Sequence, residues 1–261
     1  MMDTSGPNTT AYILCTTPRS GSTLLYRMLH ATGVAGKPKS WFHRPPLEDW
    51  ATRMQIPHNG MPETQWLKEI VDAAVLKGRA DTDVFGLRLQ GHALDFFFQK
   101  LALLFPESPT DLDRITCAFG PTKFIYLTRT DKVAQAVSLV KAEQSGLWHK
   151  NEDGSDLERS PSQEPETNKD GYDAKALSDA VQKLQSYDAA WRSWFALASV
   201  QPLTLTYETL ARAPQRALKQ VLGHIGLPPE AARNVTADTM KLSDKENEAW
   251  IARYRKEMGA A

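Results

Sequence analysis

Short apolar runs alternate with longer runs of helical spacing along most of this chain. Residues 11–16 read AYILCT, 84–89 VFGLRL, 123–128 KFIYLT and 202–207 PLTLTY. Short runs this rich in apolar residues fit strands covered on both faces. Between them, Leu24–His30, Leu94–Phe105, Lys132–Ser145 and Ala176–Ala198 read as helices, the last with Leu184, Tyr187, Trp191, Trp194 and Phe195 at helical spacing. Strands alternating with helices predict an α/β protein with a central parallel β-sheet flanked by helices. Residues 37–62, rich in Pro and Trp, read as irregular. Residues 150–172 contain almost no large apolar residue. They read as a mobile loop rather than a domain boundary, because another helix–strand pattern follows. The closing NEAWIARYRKE predicts a polar helix with an apolar stripe.

Composition narrows this picture. A chain of 261 residues, 41% hydrophobic, is long enough for one large core, so residues 1–261 are expected to form a single domain. Lys and Arg balance Asp and Glu at 31 each, and the formal net charge is +0. That balance argues against a general nucleic-acid binder. Two cysteines, Cys15 and Cys117, give neither a disulfide framework nor metal-ligand spacing, and both read as core residues. The polar start MMDTSGPNTT and the lack of any run near the ~20 apolar residues of a membrane span suggest a soluble cytoplasmic protein.

Candidate chemistry is concentrated in two stretches. In ILCTTPRSGSTLL, residues 13–25, an apolar run gives way to a hydroxyl-rich turn and then to a helix start. Such a loop presents backbone N–H groups to an anion at a helix N-terminus. An ATP-type loop needs Gly-x-x-x-x-Gly-Lys-[Ser/Thr]. Here Gly21 is followed by Ser22 and Thr23, the lysine and first glycine are missing, and the cation is Arg19. The loop can hold a 5′-phosphate but lacks the usual means of handling a magnesium triphosphate. A plain strand–turn–helix is the bland reading. The second stretch, KFIYLTRTDKVAQAVSLVKAEQSGLWHK, ends a strand at Arg129 and places Ser138 on the next helix. Both could converge on a second phosphate at the C-terminal edge of the sheet, where open α/β sheets bind ligands.

Together the two stretches resemble the sulfotransferases that use 3′-phosphoadenosine-5′-phosphosulfate (PAPS). TTPRSGSTLL is similar to their 5′-phosphosulfate loop and LTRTDKVAQAVSL to their 3′-phosphate segment. With VFGLRL, AAWRSWF, TLTYETL and EAWIARYRKE, the resemblance spans nearly the whole chain and points to the bacterial trehalose 2-sulfotransferase family. It implies a P-loop-like fold and transfer of a sulfuryl group from PAPS to an alcohol hydroxyl of a carbohydrate or glycolipid, without a metal. A homodimer is implied in the same way. Arg19, Ser20, Gly21, Ser22 and Thr23 would hold the 5′-phosphosulfate, and Arg129 and Ser138 the 3′-phosphate. Lys241 would close over the nucleotide, where the family usually has Arg. Arg88 replaces a family lysine and would stabilise charge near the sulfuryl group. A structural Arg at a strand end is the competing reading.

The chain also departs from that family. Where the trehalose enzymes read Gly-Glu-Pro-x-Glu-aromatic-Phe, this sequence reads GKPKSWF, so Ser40 stands in place of the glutamate base. A family glutamine that touches the sugar is Pro18 here. Trehalose is therefore disfavoured as acceptor, and another group must take the hydroxyl proton. His43 is the first candidate, since histidine titrates near neutral pH; His92 and Glu48 follow. Lys37 and Lys39 fit either an anionic acceptor or two solvated lysines. Trp41, Trp50 and Trp66 fit sugar stacking, core packing or a dimer contact. Two other classes stay open: a P-loop phosphotransferase acting on a small alcohol, and a nucleotide binder without catalysis.

Overall fold

A computed structural model describes residues 11–43, 45–150, 156–159, 171–236 and 245–259. Strand β1 (Ala11–Thr16) is followed by helix α1 (Ser22–Ala31), then α2 (Leu47–Met54), α3 (Glu63–Arg79) and β2 (Phe85–Gln90). Next come α4 (Leu94–Leu104), α5 (Asp111–Phe119), β3 (Thr122–Thr128) and α6 (Lys132–Ser145). A short hairpin, β4 (Leu147–Lys150) and β5 (Asp156–Arg159), precedes the long helix α7 (Ala174–Leu197). The described chain closes with β6 (Leu203–Thr206), α8 (Tyr207–Arg212), α9 (Pro214–His224) and α10 (Lys245–Glu257).

The main sheet has four strands in the order β2-β1-β3-β6, and every pairing is parallel. This is the predicted single-domain α/β architecture. β1 lies inside the sheet and is buried along its whole length, which is why its sequence is a continuous apolar run. Alternate residues feed two cores. Ile13 and Cys15 face the layer of Trp50, Phe97, Trp191 and Phe195, while Tyr12 and Leu14 face Leu25, Met28, Leu218 and Val221. A smaller core joins α6, α7 and α10 through Val137, Leu184 and Trp250.

Four expectations change. Residues 37–62 are not irregular throughout, because α2 lies within them. Leu47, Trp50, Ala51 and Met54 are its buried residues, and their i, i+3, i+4, i+7 spacing is that of an amphipathic helix. The prolines just before it, Pro45 and Pro46, masked that signal. In the segment read as a loop, Asp156–Arg159 pairs antiparallel with Leu147–Lys150; residues 151–155 and 160–170 lie outside the described residues. Cys15 is buried, but Cys117 is exposed on α5. Tyr207, read as the end of a strand, instead opens α8, because Thr206 caps that helix by accepting from the Thr209 N–H at 3.2 Å.

Candidate active site

The first crossover starts at the C-terminal end of β1 and turns tightly into α1. Gly21 occupies the N-cap with φ 83°, no side chain caps the helix, and no acidic residue stands in its first turn. The unbonded N–H groups and the positive end of the helix therefore face the loop without an internal anion. A Cβ on Gly21 would meet Tyr207 Cδ2 at 2.6 Å, so glycine is required both by conformation and by contact.

Thr16, Thr17, Ser20, Ser22 and Thr23 are all buried. Thr16 Oγ1 donates to the Leu127 carbonyl at 3.1 Å, so Ser20 Oγ is the donor in its 2.5 Å contact with Thr16 Oγ1. Arg19 has φ 61°, a sparsely populated conformation that costs roughly 1–3 kcal/mol and persists only where neighbours fix it. The neighbours are visible. Arg19 Nε donates to Ser138 Oγ at 2.9 Å, its Nη1 meets the Trp148 carbonyl, and its own carbonyl accepts from Arg129 Nη1 at 3.4 Å. The two predicted phosphate groups thus form one cluster, with Ser138 facing Arg19 rather than solvent.

Arg129 lies just beyond β3, stacked over the Tyr207 ring at 4.5 Å from its centroid. Burial draws its guanidinium below the usual arginine range, and nearby Tyr207, Asp131 and Glu208 offset part of that. Its Nε is buried without a hydrogen-bond partner. A half-buried cation with an unused donor suits an anion. The Glu208 carboxylate accepts from the Thr130 and Asp131 N–H groups.

On the other flank, Arg88 connects the start of α1 with residues 37–41. Its Nε donates to Ser40 Oγ at 2.9 Å, its Nη1 to Thr23 Oγ1 at 3.0 Å, and the group lies 4.7 Å from the Tyr26 centroid. Residues 37–41 are drawn alongside β2 by the Lys39–Leu87 bridge and by the Arg88 N–H donating to Lys39 O. Lys37 is half-buried and Lys39 exposed. His43 and His92 meet edge-on at 4.8 Å. His92 Nε2 lies 2.9 Å from the His43 carbonyl, which can only accept, so that nitrogen carries the proton and only Nδ1 could serve as a base. Glu48 is exposed and lines a groove with Gln55, His58 and Trp66; no residue of the donor loop lines that groove. Trp41, Trp50 and Trp66 are core residues at 9%, 1% and 6% exposure, which removes the sugar-stacking reading. Lys241 lies outside the described residues.

Several contributors were missed in the sequence. Tyr207 braces both Gly21 and Arg129. Gln135 Nε2 donates to Thr17 Oγ1 and to the Pro18 carbonyl, and Trp191 Nε1 donates to the Thr16 carbonyl. Gln90, the register partner of Thr16 at the end of β2, keeps a buried carbonyl oxygen without a partner. Only Gln135 carried a signal: a polar residue between Ala134 and Ala136 on an otherwise apolar stretch of α6.

A parallel α/β sheet with a hydroxyl-rich loop after an inner strand, flanked by Arg88 and Arg129, is an arrangement whose N–H groups and cations suit an anionic group. The family model for Stf0 sulphotransferase matches residues 11–257, and the chain belongs to that family. It is therefore a sulfotransferase. It is 26% identical over 275 residues to the trehalose 2-sulfotransferase of Mycolicibacterium smegmatis, with 95% of each chain covered. It is 28% identical over 265 residues to the trehalose 2-sulfotransferase of Mycobacterium tuberculosis, with 94% of each covered. Among solved structures, the sulfotransferase domain of the Synechococcus PCC 7002 olefin synthase superposes with TM-score 0.46 at 16% identity, covering 97% of this chain and 90% of that one. No helix among the described residues is long and apolar enough to cross a membrane.

Proposed function

We propose that this enzyme transfers a sulfuryl group from PAPS to an alcohol oxygen of a carbohydrate or glycolipid other than trehalose. The observation that carries the reading is the pairing of the uncapped α1 loop with the half-buried Arg129, two anion sites joined through the backbone of Arg19. A donor with a 5′-phosphosulfate and a 3′-phosphate needs both. In this reading Arg19, Ser20, Gly21, Ser22 and Thr23 bind the 5′ end, and Arg129 with Ser138 binds the 3′-phosphate. Lys241, outside the described residues, is assigned to the nucleotide by the resemblance alone. A base removes the acceptor proton, the alcohol oxygen attacks sulfur, and the sulfur–oxygen bond to the 5′-phosphate breaks. Adenosine 3′,5′-bisphosphate leaves with that electron pair. Arg19, Arg88 and the loop N–H groups stabilise the developing charge; preorganised donors of this kind are worth about 3–4 kcal/mol each. His43 is the proposed base, since the Ser40 hydroxyl accepts from Arg88 and serine is no base at neutral pH without an activator. The resemblance adds a homodimer to the reading.

Adenosine 3′,5′-bisphosphate is expected to raise the melting temperature more than AMP or ATP at matched concentration. At 100 times its dissociation constant a ligand adds about 2.7 kcal/mol. Equal shifts for AMP and the bisphosphate would remove the 3′-phosphate site. Arg129→Ala and Ser138→Ala should each weaken the bisphosphate by about 1.5–3 kcal/mol, and AMP by less, through the loosened contacts to Arg19 alone. Calorimetry with both nucleotides checks this, and an equal loss of the two would make these residues supports of the fold.

A further inference from the structure

The donor loop is held from behind by a chain of side chains that reaches the outer helix α7. Asp188, on α7, is 2% exposed. Its carboxylate accepts from Tyr126 Oη at 2.8 Å and Thr128 Oγ1 at 3.0 Å, and it forms an ion pair with Lys132. The Lys132 ammonium has three hydrogens and three acceptors: Asp188, Thr128 Oγ1 at 3.3 Å and Gln135 Oε1 at 3.0 Å. Gln135 is fully buried. With its oxygen turned to Lys132, its amide nitrogen must face the loop, where it donates to Thr17 Oγ1 at 3.0 Å and Pro18 O at 2.6 Å.

Lys132, which can only donate, and the Pro18 carbonyl, which can only accept, together fix which way the Gln135 amide points. Reversal would set the amide nitrogen against the Lys132 ammonium and its oxygen against the Pro18 carbonyl. The residue fixed by the amide, Pro18, immediately precedes Arg19 with its positive φ. One turn further along α7, Trp191 Nε1 holds the Thr16 carbonyl at 3.0 Å. The loop is thus clamped at Thr16, Thr17 and Pro18, all N-terminal to the N–H groups that face the donor.

We propose that Asp188, Lys132 and Gln135 form a positioning relay that sets the shape of the 5′-phosphosulfate loop from α7. None of the three is required to touch the donor. Lys132 orients Gln135, Gln135 orients Pro18 and Arg19, and Asp188 with Tyr126 and Thr128 immobilises Lys132. The role in donor binding rests on the donor reading above; the role in loop shape does not.

Gln135 is the place to test it, since removing Lys132 or Asp188 would leave a buried charge and unsettle the fold. Gln135→Met removes both bonds to the loop. Gln135→Glu keeps the partner for Lys132 but sets a carboxylate against the Pro18 carbonyl. Both variants should bind adenosine 3′,5′-bisphosphate at least tenfold more weakly, with Gln135→Glu the worse. Adenosine 3′-monophosphate, which has no 5′-phosphate, should bind both within twofold of the wild type. In the ligand-free protein, amide exchange at Arg19, Ser20 and Gly21 should quicken at least tenfold in Gln135→Met while β1 and β3 keep wild-type protection. Loss of both nucleotides by one factor, or loop exchange unchanged from wild type, would overturn the relay. If wild-type protein binds no bisphosphate, the donor reading fails, and the exchange measurement still decides the relay.

Discussion

His43→Ala is expected to lower turnover on the true acceptor by ~10²–10⁴-fold, the usual contribution of a positioned general base. Ser40→Ala should keep most of the activity, because serine is not a base at neutral pH and the Ser40 hydroxyl is already an acceptor for Arg88. The pH profile gives a second reading of the same step. A protonated imidazole cannot take the acceptor proton, so the wild-type rate should fall as pH drops through the imidazole range, and that acid limb should vanish in His43→Ala. Single-turnover rates at saturating donor check this, together with the affinity of the variant for adenosine 3′,5′-bisphosphate, which should be unchanged. Normal turnover by His43→Ala would shift the role to His92. The edge-on contact of the two rings then matters, because His92 Nε2 is committed to the His43 carbonyl and only its other nitrogen could act.

Gly21→Val should be nearly as damaging, by a different route. The residue sits at φ 83°, where a β-branched side chain is strained by roughly 1–3 kcal/mol. Even the first added carbon would lie 2.6 Å from Tyr207 Cδ2. Either the loop or Tyr207 has to move. A loop shift carries the N–H groups away from the donor, and a Tyr207 shift releases the face on which Arg129 rests. Misplacement of about 1 Å at a reacting centre can cost 10²-fold, so kcat/KM should drop by at least that much. The folded fraction, followed by circular dichroism, should stay near wild type below the melting transition. Full activity in Gly21→Val would mean that the donor is not read by this turn.

The parts of this site that were legible in the sequence are those written in consecutive residues. AYILCT reads as a strand covered on both faces, and TTPRSGST as a turn into a helix. Arg129 and Ser138 were found because strand, turn and helix keep them within one unit. What stayed hidden is built from residues far apart along the chain. Nothing in the neighbourhood of Tyr207 shows that its ring covers Gly21, and nothing near Asp188 shows that its carboxylate faces Lys132. Trp50 illustrates a choice that the sequence left open. A tryptophan in a Pro-rich stretch has the composition of a sugar platform, yet its place on the buried face of α2 makes it a core residue, 1% exposed. Cys117 was read as core because it precedes a strand-like run, yet it lies on the exposed side of α5.

The bond from Trp191 to the carbonyl of Thr16 spans 175 positions of the chain. During synthesis β1 leaves the ribosome early and has no neighbour to pair with until β2 follows some seventy residues later, and β3 later still. The turn behind it acquires Gln135 only when α6 is made, and its last clamp when α7 is nearly finished. Contacts this distant are slow to form, because the intervening chain must first be ordered. The turn after β1 therefore takes its final shape only once α7 is made, long after its own residues. A chain ending before α7 would carry the whole turn and still lack the Trp191 and Asp188 contacts behind it.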